Sequence, residues 1–376
     1  MSGTKKELGV GIIGAGFMGH THTYNYLNLP FFYDDLPVRI KLIGICDTDV
    51  NKANALKDNF GFQLATDRYQ DLLARPDIDI VDISTPTTFH CEQILDALAA
   101  GKHVYADKPL CASVAEAEQL VAAATRSDCI QQVAYHYRFY PAIAKTRRLL
   151  AEGVLGRPIS FRFTYYHSSN LDPNKPMGWK QDKAMGGGGV LIEMACHVLD
   201  LIYHFFGEFE SVRMDSMILY AQRPGPDGQS VKVEGEDHVL LTITMKNGMM
   251  GTAEVSKVMA GTNDDLDYEL SGTAGAIRYA MMNPNFLQVH ATGNQGFTTM
   301  ATVNHDPESK SNFPGPRFPI GWLRGHVASQ HNFVRAVAAR QPASPSFRES
   351  AYLQQITQRL YDGHDYMGDL ALQDDS

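Results

Sequence analysis

Up to residue 134, short apolar runs alternate with stretches of helical spacing. The runs at 9–14, 39–46 (RIKLIGIC), 78–84, 102–106 and 130–134 read as strands. Helices are expected after the glycine turn that follows the first run, then over 47–60, where Ala53, Leu56 and Phe60 share a side, and over 91–100 and 114–127. Regular alternation with short connections predicts parallel strands joined by helical crossovers. After Pro141 the rhythm changes. One helix (143–152) leads into long strands at 159–166, 211–219, 238–246, 249–259, 267–271 and 276–281, with an Asn247–Gly248 hairpin turn. One helix (190–206) interrupts them, and helices return at 325–340 and 347–362. Loops at 221–236 and 292–321 are long and rich in Gly, Pro or polar residues. The pattern predicts an α/β domain with a parallel sheet over 1–134. An α+β domain over 135–376 follows, with a large, mostly antiparallel sheet left open on one face.

Composition narrows the class. A chain of 376 residues, 44% hydrophobic and 20% charged, is ordinary globular protein, which excludes wholesale disorder and collagen-like or coiled-coil folds. Its formal charge of -9 argues against nucleic acid or an anionic membrane as main partner. No apolar stretch approaches the ~20 residues of a membrane-spanning helix, and the opening MSGTKKEL is too polar for a secretory leader. Five cysteines, with no CxxC and no metal-ligand spacing, read as thiols of a cytoplasmic protein without a metal site.

Gly14–Ala15–Gly16–Phe17–Met18–Gly19 follows the first strand and opens a helix. There Gly14 permits a tight turn, Gly16 lets backbone approach a pyrophosphate, and Gly19 lets helix pack on strand. The helix N-terminus adds open N–H groups and a positive dipole end. Asp47 ends the second strand, where a carboxylate accepts hydrogen bonds from a ribose. It lies beyond the usual ~20 residues because 28–37 reads as an insertion. Asp49 follows, with no Arg or Lys at 48, so NAD is expected rather than NADP.

Two further segments carry candidate chemistry. Asp107–Lys108–Pro109 lies just past the fourth strand's carboxyl end, where ligands of parallel sheets bind. A lysine there stabilises a developing alkoxide, or is simply a surface residue at a turn. In GGGGVLIEMACHVLD (186–200), Glu193, His197 and Asp200 fall on one helix face at i, i+4 and i+7. That is a pre-oriented base or a solvated polar stripe. The glycine run would let substrate approach the backbone. Trp179 and Trp322 sit in polar, irregular segments and suit the apolar side of a sugar ring. Lys180, His167, Tyr165 and Arg324 are within the same segments' reach of sugar hydroxyls.

GAGFMG, Asp47, STPTTFH (84–90), DKP (107–109), YRFYP (137–141) and GGGVLIEMACHVLD (187–200) occur in one order along nearly the whole chain. In this the chain resembles the Gfo/Idh/MocA oxidoreductases, which include glucose–fructose oxidoreductase and inositol dehydrogenases. The resemblance implies a Rossmann domain, NAD, and hydride transfer from a secondary hydroxyl of a sugar or cyclic polyol. It implies that Lys108 and His197 are catalytic, with Glu193 where most relatives carry Asp. It further implies cofactor contacts at Ser84, Thr85, Pro86, His90 and Asp107, and substrate contacts at His136, Arg138 and Tyr166. A homodimer or homotetramer through the second domain's sheet is expected. Two other readings stay open: an NAD-dependent glycosidase working through transient sugar oxidation, and a non-catalytic sensor.

Overall fold

A computed structural model describes residues 5–178, 188–225, 228–302, 322–363 and 365–366. The chain forms two compact units. One holds residues up to Phe139 and Gly321–Ala351, and the other holds Tyr140 onward and the chain from Tyr352.

In the first unit, strands β1 (Lys6–Ile13), β2 (Val38–Cys46), β3 (Leu64–Thr66), β4 (Ile80–Ile83), β5 (His103–Ala106) and β6 (Gln131–Val133) form one parallel sheet in the order β3-β2-β1-β4-β5-β6. Helices α1 (Phe17–Phe32), α2 (Val50–Phe60), α3 (Tyr69–Leu73), α4 (His90–Ala99) and α5 (Val114–Thr125) are its crossovers. The expected alternation is present, and β3 and α3 are additions too short to show a period. Residues 28–32, read as insertion, are the last turn of α1. Asp49 caps α2 by accepting from Asn51 N–H, and Gly61 ends it in the left-handed region at φ 79°. The sequence order reverses between β1 and β4, so the crevice beyond their carboxyl ends is where a nucleotide binds in such sheets.

The C-terminal helix α8 (Trp322–Ala339) belongs to this unit. Its Val327, Phe333, Val334 and Val337 join the core of Tyr26, Leu29 and Tyr105. An apolar stripe says that a helix packs, but not on which core.

The second unit holds α6 (Pro141–Ala151), α7 (Cys196–Phe206) and an eight-stranded sheet. Its strands are β7 (Pro158–Tyr166), β8 (Phe209–Met217), β11 (His238–Met245), β12 (Met250–Ser256), β13 (Asp265–Gly272), β14 (Gly275–Ala280), β15 (Phe286–Ala291) and β16 (Thr298–Ala301). They lie in the order β16-β15-β14-β13-β7-β12-β11-β8, antiparallel except for β7 with β12. β15 and β16 extend the sheet beyond the expected strands. Within the loop at 221–236, β9 (Gln222–Pro224) and β10 (Ser230–Lys232) pair as a hairpin. Helix α9 (Phe347–Tyr361) starts in the first unit and ends in the second.

Period-two alternation splits the large sheet cleanly. Phe161, Phe163, Tyr165, Val239, Leu241, Ala253, Val255, Leu266 and Tyr268 are buried on one face. The opposite face carries Arg162, Thr164, Tyr166, Leu240, Thr252, Glu254, Asp267 and Glu269. Strand β12 is apolar on one face and mixed on the other.

One buried ion pair organises the first unit. His22 Nδ1 on α1 lies 2.7 Å from Asp82 Oδ1 on β4, and both side chains are fully buried. Burial alone pulls the imidazole down, but the charge and hydrogen bond of Asp82, helped by Asp107, bring its pKa above 6.5. A raised folded pKa gives stability that is full below the unfolded value and lost as pH rises through the folded one. His22→Phe strands a buried carboxylate, so a loss of about 3–5 kcal/mol is expected by denaturant unfolding on the acid side of neutrality. The gap to the unmodified protein should narrow at alkaline pH. A gap below about 1 kcal/mol on the acid side would contradict this role.

Candidate active site

In the first unit the glycine turn has the geometry that anion binding needs. Gly14 sits at φ 106°, and its N–H donates to Cys46 O at 2.8 Å. A Cβ at Gly19 would lie 1.9 Å from Gly14 O, so α1 can start this close to β1 only with glycine there. A Cβ at Gly16 would meet no atom within 4 Å. No side chain caps α1 and no acidic residue stands in its first turn, which leaves the helix end fit for a pyrophosphate. Asp47 Oδ2 accepts from Ala15 N–H at 2.8 Å and Oδ1 from Asp49 N–H at 2.9 Å. Its carboxylate thus fixes the glycine turn and keeps acceptor capacity for a ribose. Lys52 stands 3.9 Å from Asp49 in an exposed pair.

The expected cofactor contacts also support their loops. Ser84 Oγ donates to Ile13 O (3.2 Å) and Gly14 O (3.1 Å), and Thr85 Oγ1 donates to Gln93 Oε1 (2.7 Å). The His90 ring is 1% exposed and lies within hydrogen-bond distance of Thr85 O and Pro109 O. Pro86 opens the short turn Thr87–Phe89. Asp107 Oδ1 accepts the Lys108 N–H at 2.8 Å, and Lys108 is half-buried.

His136 is buried and stacks on His326, ring centroids 3.7 Å apart and planes 17° apart. Burial first, then the charges of His136, His22 and Lys108, hold His326 well below the usual histidine value, so its ring is neutral at neutral pH. His326 was not singled out from the sequence. Only the docking of α8 on this unit gives it neighbours. Arg138, expected at the substrate, is 5% exposed on its side chain and lies 2.9 Å from Glu349 and 3.2 Å from Ser344 Oγ.

In the second unit, Gly188 and Gly189 open the helix that carries Glu193 and His197. Their smallness has a packing cause, not a substrate one: a Cβ would lie 2.1 Å from Tyr361 Oη or 2.3 Å from Glu236 N. Gly186 and Gly187 lie outside the described residues, as do Trp179 and Lys180, and so do the side chains of Trp322 and Arg324. Buried Glu236 holds the helix start, accepting from Leu191 N–H (2.8 Å) and Tyr361 O–H (3.0 Å); burial raises its pKa against those bonds.

Leu191–Ala195 winds as a π-turn before α7, a feature frequent at functional sites. Glu193 lies in this π-turn and His197 in the α-helix that follows, so the regular α-spacing expected between them is not kept. His197 is 4% exposed, with Tyr165 edge-on at 6.4 Å. Tyr165 O–H donates to Asp264 Oδ1 at 2.9 Å, and His167 Nε2 lies 2.8 Å from the same oxygen. Tyr166, expected to touch substrate, points to the sheet's other face with Arg162 and Asp267; strand alternation excludes it from the His197 side. Glu193 pairs with Lys257, which is 7% exposed. A charged residue continuing the buried stripe Ala253–Val255 is the signal that would have found Lys257.

The sheet order, the uncapped glycine turn and Asp47 define a dinucleotide-binding domain of the oxidoreductase class. Residues 8–135 match the oxidoreductase family with an NAD-binding Rossmann fold, and 143–278 match the GFO/IDH/MocA C-terminal domain. The chain belongs to this family and is an NAD-binding oxidoreductase. It is 32% identical to levoglucosan dehydrogenase of Pseudarthrobacter phenanthrenivorans over 364 residues, 92% of this chain and 93% of that one. A solved levoglucosan dehydrogenase in complex with NADH superposes with a TM-score of 0.92 at 30% identity, covering 97% of this chain and 100% of that one. The myo-inositol 2-dehydrogenase of Thermotoga maritima is 25% identical over 71% of this chain and 74% of its own. No helix among the described residues is long and apolar enough to cross a membrane, and none of their His, Cys, Asp and Glu side chains forms a group of three or more able to hold a metal.

Gly16→Val fills the space in front of α1 without touching the fold. NADH affinity should fall by at least tenfold, roughly the loss of one good anion contact, with thermal unfolding unchanged; fluorescence titration measures it. Asp47→Ala should weaken NAD more than NADP in the same titration.

Proposed function

We propose that the protein oxidises a secondary hydroxyl of a sugar or cyclic polyol with NAD as hydride acceptor. The observation that supports this reading is that a chain similar over 92% of its length to levoglucosan dehydrogenase carries Lys108 just past β5 and His197 on the helix behind the π-turn. His197 takes the hydroxyl proton, and Lys108 holds the same oxygen as its negative charge develops. The bound nicotinamide accepts the hydride; the protein supplies position and electrostatics. Glu193, one methylene longer than the Asp of most relatives, spans to Lys257 and adds a buried ion pair beside the base. Asp47 and Asp49 favour NAD over a cofactor with a 2′-phosphate.

The open face of the second unit's sheet supports a homo-oligomer. It exposes Met217, Leu240 and Met250 beside a charged row in which Glu269 lies 3.4 Å from Arg162 and 3.1 Å from Arg278. All five cysteines are thiols, which suits a cytoplasmic setting.

A panel of levoglucosan, inositols, free sugars and glycosides with NAD, followed by NADH absorbance, tests the reaction. NADH should accumulate with at least one alcohol. Glycoside cleavage without NADH would make the protein a hydrolase, and NADH binding without turnover would make it a sensor. His197→Ala should lower kcat by roughly 10²–10⁴ and Lys108→Ala by at least ~10²–10³, with NADH affinity kept. Glu193→Asp should shift KM among panel sugars more than kcat, because it releases Lys257. Full activity in His197→Ala would overturn the assignment of the base. Light scattering at micromolar concentration should report more than one chain per particle.

A further inference from the structure

His90 opens α4, and its ring is almost wholly buried, yet it packs no polar group of its own helix. Nε2 lies 2.8 Å from Thr85 O and Nδ1 lies 3.0 Å from Pro109 O. These carbonyls belong to different loops. Thr85 is in the loop after β4, on the nucleotide side of the sheet. Pro109 follows Lys108 directly, after β5. We propose that His90 is a positioning residue that sets Lys108 against the cofactor loop by bonding both backbones at once. This rests on the reading of Lys108 as the cation at the reacting oxygen.

The chemistry of the two bonds supports that role. Both partners are backbone carbonyls, and the two ring nitrogens lie within hydrogen-bond distance of one each. A single rigid ring held between two loops at fixed separation is a strut between them. One turn along, Gln93 accepts from Thr85 Oγ1, so α4 grips the first loop twice. Beyond Thr85, Ser84 Oγ bonds Ile13 O and Gly14 O of the glycine turn. Hydrogen bonds of Ser84 and His90, joined through the Ser84–Thr85 peptide, thus link the glycine turn to the carbonyl of Pro109, the residue after Lys108. On the other side of Lys108, Asp107 N–H donates to Ile83 O at 2.8 Å, and the Asp107 carboxylate holds the Lys108 N–H. The lysine backbone is pinned from both ends. Its side chain is long and flexible, so the place of the ammonium depends on that anchor. A misplacement of about 1 Å costs catalysis up to roughly 10²-fold.

The test is a double-variant cycle with His90→Phe, which keeps a ring of similar size, and Lys108→Ala. The panel sugar of highest turnover serves as substrate. His90→Phe alone should lower kcat by roughly 10–100-fold, raise the primary deuterium isotope effect, and leave NADH affinity by titration within about threefold. In the Lys108→Ala background the same change should add less than about threefold, because a strut that acts through the lysine has nothing left to position. If His90→Phe does not fold, His90→Asn, which keeps one donor, is carried through the same cycle. Losses that multiply in the double variant, or unchanged kcat in a folded His90→Phe, would each overturn the strut. Full activity in Lys108→Ala would instead overturn the role of Lys108, and the premise of the strut with it.

Discussion

The first unit depends on one steric constraint, the near-contact of helix α1 with the end of strand β1. Gly19 has no room for a side chain against Gly14 O, and Gly14 has none against Ser84 O, 2.7 Å from where its Cβ would stand. That closeness brings the helix N-terminus to the carboxyl edge of the sheet, where its N–H groups are of use to an anion. Other site features of this unit hang from the same edge. Asp47 bonds the turn from β2, Ser84 from β4, and the loop with Lys108 is tied to β4 through His90 and Asp107. Ligand binding here is a consequence of how tightly a glycine-turned helix can be set against a parallel sheet.

The polar interior of this unit is connected rather than scattered. Asp82 takes His22 on one oxygen and Gln330 Nε2 on the other, at 3.2 Å. Tyr105 and Gln132 both bond Ser329 on α8. Buried polar groups cost stability unless they are paired. A core with this many partners therefore specifies where α8 docks more sharply than its apolar residues alone. The same docking supplies His326 to His136. The second unit solves a different problem. The helix that carries His197 starts against a buried carboxylate, Glu236, and a tyrosine hydroxyl, and then winds as a π-turn that holds Glu193.

Much was legible from local pattern. Strand and helix order, the glycine turn, the cap at Asp49, and the positions of Lys108 and His197 all follow from period, turn chemistry and short motifs, which act over a few residues. Alternation along β7 also held the information that Tyr165 and Tyr166 face opposite ways, with Tyr165 on the side of His197. Short elements such as β3, β9 and β16 have too few residues to show a period, and their pairing partners alone make them strands.

What the sequence determined by itself was the alternation, the class of fold and the residue types able to do redox chemistry with NAD. Only the tertiary structure decided which of those residues are spent internally. Arg138 is taken by Glu349, 211 positions away, Ser84 by the glycine turn, and His90 by two loops at once. Lys257 reaches Glu193 across 64 positions, and α8 returns to the first core after the whole second unit has been laid down. The physical reason is common to all of these. A polar side chain buried on folding bonds whatever acceptor or donor the packing brings to it, and distance along the chain carries no record of that neighbour.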